Sequence, residues 1–576
     1  MAATTAPVGR PRASPYWGAL RAALVAAGGS AVLGLAALVI YPSGVLLAQS
    51  VSQDGRVTAG YYARVAADPQ TYAALAHSLV VSAWTTLGAT AIGVTLAWLV
   101  ARTDLPRRDR WHTALLIPYM IPPFIGAMAW VYLCGPAGYL NQMWMALTGA
   151  VDPLFSIYGP AGIVLVMILY QYPIPYLATL GVLRRMNPAL EEPGRMARAG
   201  PWHVLREITI PLALPGVLSG ALLVMMASLG NFGIPAIIGF PARYVVLTTR
   251  IYSLVLDFDR PGHLQLASAL SMWLVAIAVA LLQAQRVVLA RGRFAVVGGQ
   301  AGAASTVALG RWRLPIGVGL GALLLVSVVL PLGAVLLTST TRAYGLPPLP
   351  QNLTLQHYVT ALTGIPKVQR AVLNSLVLAA GAATVIVVLA AGFAYLKERS
   401  RLRGLDTLEA LATVPYAVPG TVVALAMIVA WVRPLPLLGL RLYDTLGIIF
   451  IAYVARFLTF GVRTVLAGLA QVHASLEEAA RISGARPAEA FAHIALPLIR
   501  PSVAAGWLLA FLPAVAELTL SILLFSVGHE TIGVVIFGLH EEGKIALSAA
   551  LAFLVTALLV AISLAGRAAG RAEMAG

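Results

Sequence analysis

A chain of 576 residues that is 59% hydrophobic and only 11% charged cannot clothe itself for water, since soluble domains carry about 25% charged residues. Its net charge of +17 would suit a nucleic-acid partner, but the placement of the basic residues excludes one, because they gather in alternate loops between apolar segments. The single cysteine, Cys134, excludes disulfides and thiolate metal clusters and reads as a small apolar filler.

In chain order, about twelve stretches approach the ~20 apolar residues that a membrane-crossing helix needs. Six lie at 19–45, 78–101, 113–133, 159–183, 214–240 and 265–285, and six more at 314–338, 371–396, 407–432, 442–462, 501–525 and 545–566. The first is too long, and its leader too unlike a cleavage site, for a removable signal peptide, so a retained span is expected. The fold class is therefore all-α and polytopic. With the N-terminus placed in the cytoplasm, 27 of the 39 Lys and Arg fall in cytoplasmic segments, 11 fall outside, and Arg456 lies within a span. That is the positive-inside bias. It predicts a bacterial inner membrane protein with both termini cytoplasmic, in contact with lipid and not with nucleic acid. Pro118, Pro122 and Pro123 in the third span, and Pro415 and Pro419 in the ninth, predict kinks that could serve a gate or packing alone.

The chain is internally duplicated. An offset of 297 residues places Ser78 on Ser375, Arg102 on Arg399, Pro118 on Pro415 and Pro122 on Pro419. An offset of 286 then places Glu191 and Glu192 on Glu477 and Glu478, Arg195 on Arg481, Pro201 on Pro487, Pro211 on Pro497 and Gly220 on Gly506. Six spans per copy is an even number, so the copies are parallel repeats about an axis along the membrane normal. The predicted units are 1–285 and 314–576, joined by a cytoplasmic linker, 286–313, that contains Gly298, Gly299 and Gly302.

Each unit carries a basic cytoplasmic loop, 187–213 in the first and 473–499 in the second. In the second, Ser475 and Glu478 form an S-x-x-E capping box, and Gly484 is placed to close the helix in the left-handed conformation. Pro487 opens a second short helix and Pro497 is expected to end it. Ala479, Ala480 and Ile482 make an apolar patch too small for a core and suited to a partner's groove. In the first loop, Pro193 and Gly194 replace the two alanines and Arg198 stands at the position of Gly484, with Gly200 two residues later.

Glu477-Glu478-Ala479-Ala480, Gly484 and Ile494-Ala-Leu-Pro497 resemble the EAA loop of type I ATP-binding-cassette import permeases. The resemblance implies that fold, with Glu191, Glu192, Arg195, Gly200, Glu477, Glu478, Ala479, Ala480, Gly484 and Pro497 in loops that dock onto two copies of a nucleotide-binding ATPase. It also implies a separate substrate-binding protein. No G-x-x-x-x-G-K-[ST] phosphate loop occurs, so this chain is expected not to be an enzyme, and ATP and Mg to be held by the partner ATPase.

Within the fifth and eleventh segments, Asn231 and Glu517 share one repeat position, followed by Phe232 and Leu518. A charge at membrane depth costs on the order of 2–4 kcal/mol unless paired or hydrated. Asn231, Phe232, Arg456 and Glu517 are therefore candidate pathway or gate residues, with Arg456 as candidate partner of Glu517. Asp257, Asp259, Glu541 and Glu542, in corresponding outer loops, are candidate contacts for the binding protein. Asn231-Phe232-Gly with Gly239-Phe-Pro, and Glu517-Leu-Thr, resemble fused permeases for ferric iron, which makes iron(III) the favoured cargo. Thiamine, phosphonate and polyamine permeases share the architecture. No His, Cys and carboxylate cluster here has metal-ligand spacing. A gradient-driven secondary transporter is the rival class, and the two loops argue against it.

Overall fold

The computed structural model describes residues 34–291 apart from 35, 54 and 187–199, and residues 306–575 apart from 400–403, 434–438 and 440. Among the described residues, strands are confined to the pair Ser52–Gln53 and Arg56–Val57. Helix supplies the rest of the frame. Among the described residues, eight helices are long and apolar enough to cross a membrane, and ten if each of two bent pairs is one span.

Several of the twelve predicted spans are not continuous rods among the described residues. The third bends by 91° between Arg108–Met120 and Pro123–Thr148. The ninth splits into Leu405–Ala417 and Gly420–Trp431. The fifth stops at Leu229 and resumes as Gly233–Gly239, and the eleventh stops at Val515 and resumes as Ser521–Leu524. The first lies partly outside the described residues and ends in helix Tyr41–Ser50, so it runs past the predicted boundary. In the third and ninth spans the cause is proline, which lacks an N–H and biases its predecessor to extended backbone. Ile121 and Pro122, each followed by a proline, have ψ of 131° and 133°, and Pro419, with ψ of 139°, stands at the break of the ninth span.

Other prolines are absorbed. Pro42, Pro211, Pro331 and Pro497 each follow a π turn, respectively Ala36–Ile40, Leu205–Thr209, Leu325–Val329 and Phe491–Ala495. The wider turn, in which Ile210 N–H reaches Leu205 O and Leu496 N–H reaches Phe491 O, gives the ring room that an α turn denies it. Pro497 is thus held inside its helix, one residue before the helix ends. The chain stays helical through Leu498 and bends by 63° at Ile499.

The duplication is visible element by element. Pro69–Arg102 and Pro366–Arg399 are both 34 residues long and stand at the sequence offset. Pro123–Cys134 repeats as Gly420–Trp431, each 12 residues. Ser50 Oγ meets Tyr62 OH at 2.9 Å, and Ser339 Oγ meets Tyr358 OH at 2.6 Å. The halves also exchange their first spans. Tyr41–Ser50 packs on Gly420–Trp431, and Leu330–Thr340 packs on Pro123–Cys134. The Tyr41 and Trp431 rings lie 5.1 Å apart. One continuous buried cluster consequently runs through both halves.

Close helix contact in a membrane rests on packing and small residues, since lipid is as apolar as leucine. At Gly93 an added Cβ would sit 2.7 Å from Tyr176 N and 2.8 Å from Tyr172 O. The repeat partner Ala390 is fully buried with its methyl accommodated.

Candidate functional site

Loop 473–499 is built by short-range rules. Helix Ala474–Ile482 opens on His473, whose side chain accepts from Ser475 N–H at 3.3 Å, while His473 Nδ1 and Ser475 Oγ lie 2.7 Å apart. The expected capping box is thus replaced by a histidine cap, because the helix starts before Ser475 can cap it. Gly484, at φ +96°, closes the helix. Its N–H donates to Arg481 O at 3.1 Å and Ala485 N–H donates to Ala480 O at 3.0 Å, the paired bonds of a Schellman end. Pro487–Ala490 follows, with Arg486 N–H donating to Glu489 Oε2 at 2.7 Å.

The two adjacent glutamates point in different directions, since neighbours on a helix stand about 100° apart. Glu478 and Ala479 are exposed and Ala480 is partly buried. Ile482 is 87% exposed and Leu476 is 47% exposed, a compact apolar knob with nothing of this chain over it. Glu477 is turned inward, 5% exposed, and its Oε1 lies 2.8 Å from Arg399 Nε. Arg399 also donates to Val472 O at 2.9 Å.

In the first unit, Glu191, Glu192 and Arg195 lie outside the described residues. Gly200 is exposed and its carbonyl accepts from His203 and Val204 N–H, at 2.9 and 3.1 Å, opening helix Pro201–Val204. Arg102 donates to Met186 O at 3.3 Å, repeating the Arg399–Val472 bond. The end of helix Pro69–Arg102 receives a strap from the linker. Val307 N–H donates to Arg102 O at 2.8 Å, Asp104 N–H donates to Val307 O at 3.2 Å, and Leu309 N–H donates to Asp104 Oδ1 at 2.8 Å. Arg313 pairs with the other Asp104 oxygen. These donors hold the Asp104 carboxyl below the usual carboxylate range.

The breaks in the third, fifth, ninth and eleventh spans converge. A Cβ on Gly233 would meet Phe124, one on Gly230 would meet Pro419, and one on Gly420 would meet Thr519 and Arg456. Phe232 is fully buried there, with ring centroids 4.9 Å from Tyr252 and 6.3 Å from Phe537 of the other half. Asn231 Oδ1 accepts from Ile234 N–H at 3.1 Å. Glu517 Oε2, at the same repeat position, accepts from Leu520 N–H at 2.8 Å and Ser521 N–H at 3.2 Å. Both side chains restart a broken helix. Among the described residues no ion pair within 4 Å joins Glu517 to Arg456, which donates instead to Val418 O at 2.9 Å in the break of the ninth span.

On the opposite face, Asp259, Glu541 and Glu542 are exposed and Asp257 is partly buried. Lys544 Nζ lies 2.8 Å from Glu542 and holds its carboxyl below the usual range. Among the described residues no three His, Cys, Asp or Glu side chains are grouped to hold a metal ion. Sequence reasoning used Arg102 and Arg399 only as repeat markers and missed their anchoring roles. The usable signal was a charge at the end of an apolar span that recurs in both copies.

A ferric transport system permease protein of Actinobacillus pleuropneumoniae is 25% identical over 556 residues, 93% of this chain and 76% of its own length. An Fe(3+)-transport system permease protein of Haemophilus influenzae is 23% identical over 471 residues, 80% of this chain and 83% of its own. The molybdenum transport system permease protein of Escherichia coli K12 is 28% identical over 217 residues, 37% of this chain and 90% of its own. Residues 93–291 and 383–572 each match the family of binding-protein-dependent transport system inner membrane components, so the chain belongs to that family as two fused copies.

Proposed function

We propose that this fused inner membrane component of a binding-protein-dependent importer carries iron(III), which a separate binding protein delivers. Both ferric permeases above align over most of the chain, whereas the molybdenum permease aligns with 37% of it. The observation that carries the mechanism is the loop 473–499. It presents an exposed knob of Leu476, Ala479 and Ile482 on a rigid, doubly capped bend, a shape suited to a groove on the partner ATPase.

In this reading both termini and both loops are cytoplasmic, and each loop engages one of two ATPase copies. ATP and Mg are held by those subunits, and this chain performs no hydrolysis. Asp257, Asp259, Glu541 and Glu542 face the binding protein. Substrate passes between the halves where the broken spans meet, and Phe232 with Tyr252 and Phe537 closes the crossing. Buried polar groups at such a break need local partners. Asn231 and Glu517 supply acceptors for the freed N–H groups.

The test is uptake into proteoliposomes that hold this chain with its ATPase, supplied with the cognate binding protein loaded with iron(III), molybdate or 2-aminoethylphosphonate. ATP-dependent uptake of iron alone supports the proposal. Molybdate or phosphonate uptake without iron uptake overturns the cargo assignment.

A further inference from the structure

We propose that Arg399 is a positioning residue in energy coupling: its ion pair with Glu477 fastens loop 473–499 to helix Pro366–Arg399, which relays loop movement to the far side of the membrane. The proposal rests on the reading of that loop as the ATPase dock.

The attachment has two points. Arg399 holds Glu477 at 2.8 Å and the loop entrance, Val472 O, at 2.9 Å, with side chains only 14% and 6% exposed. One turn back, Tyr395 meets Phe491 of the second loop segment edge-on at 4.9 Å. Each segment of the loop thus has its own contact on the same helix end, so the loop cannot pivot without moving the helix.

The helix can carry that movement. It is 34 residues without an internal proline, about 50 Å of continuous rise, whereas the third, fifth, ninth and eleventh spans are broken. Its other end is fastened as well. Ile532 N–H donates to Ser375 Oγ at 2.8 Å and Asn374 Nδ2 donates to Glu530 O at 3.0 Å. Residue 532 opens helix Ile532–Glu541, which carries Phe537 to the crossing and Glu541 to the outer face. Loop, long helix and helix Ile532–Glu541 are therefore joined by hydrogen bonds, and that helix meets the crossing through the Phe537–Phe232 ring contact at 6.3 Å. Glu478 is exposed toward the ATPase while Glu477 is turned inward.

The experiment uses the assembled complex in proteoliposomes and reads substrate moved per ATP hydrolysed, together with co-purification of the ATPase. Arg399→Glu and Glu477→Arg should each lower that ratio about tenfold with the ATPase still bound. The double exchange should recover most of the wild-type ratio. A wild-type ratio in either single variant overturns the proposal, and so does a double exchange that recovers nothing. If the reversals fail to assemble, Arg399→Lys, which keeps the charge and loses the second bond to Val472 O, should still lower the ratio, and an unchanged ratio overturns the proposal. Ile482→Glu separates the two readings. If it leaves ATPase binding and transport intact, the docking role fails; if it uncouples while the Arg399 variants do not, only the relay fails.

Discussion

The two halves place the same arginine at the end of the same 34-residue helix, where each donates to the carbonyl at the entrance of its loop, Met186 O or Val472 O. In the second half, Arg399 grips the loop through Glu477. In the first half, the residues after Arg102 are strapped by the linker through Val307, Leu309 and Asp104. The crossing shows the converse. Asn231 and Glu517 differ in charge, yet each accepts the N–H three residues on. Repeat positions in a fused chain can thus keep a geometry while changing the chemistry. Separate, identical subunits could not.

The sharpest way to break this comparison is at the loop glycines. Gly484 is left-handed with open space around its Cβ position, so any side chain there costs about 1–2 kcal/mol from the backbone alone. Gly484→Leu should abolish coupled uptake while insertion, measured by membrane fractionation, is retained. Gly200 does not share that conformation and also has open space, so Gly200→Ala should transport normally. Equal effects at the two sites would show that the left-handed conformation of Gly484 is not what makes its replacement damaging.

The crossing comes next. Glu517→Leu leaves Leu520 N–H buried without its acceptor, a loss of about 1–3 kcal/mol, and Asn231→Leu should cost a similar amount through Ile234. Glu517→Gln keeps an oxygen for the bond and should lose less in thermal unfolding and in uptake. If Gln is as damaging as Leu, the charge of Glu517 matters beyond capping.

A smaller contrast is Gly93→Ala, expected to destabilise by about 1–3 kcal/mol through overpacking against Tyr172 and Tyr176. The converse change, Ala390→Gly, should cost about 1 kcal/mol or less. The smallest effect is Asp104→Asn, which should expose the linker and speed its proteolysis a few-fold with uptake unchanged. Because the folded carboxyl is depressed, the strap's contribution is present above the unfolded pKa of about 3.9 and is lost as pH falls below it through the folded value. Proteolysis should therefore be flat across neutral pH.

Much of this was legible beforehand. Apolar length located the spans, offsets between Ser78 and Ser375 and between Asn231 and Glu517 exposed the repeats, and Gly484 and Pro487 announced the bend. These are properties of residues near one another in the chain or of one-dimensional register, and the sequence by itself determines them. Tertiary structure alone decided that Glu477 and not Glu478 turns inward to Arg399, 78 residues away. It also decided that Asp104 takes the linker, 205 residues on, and that Glu517 spends its oxygen on its own backbone while Arg456 serves the ninth span. Such pairings depend on which helix ends packing brings together. The same glutamate, read along the chain, has no way of showing whether water, a partner or a buried guanidinium will meet it.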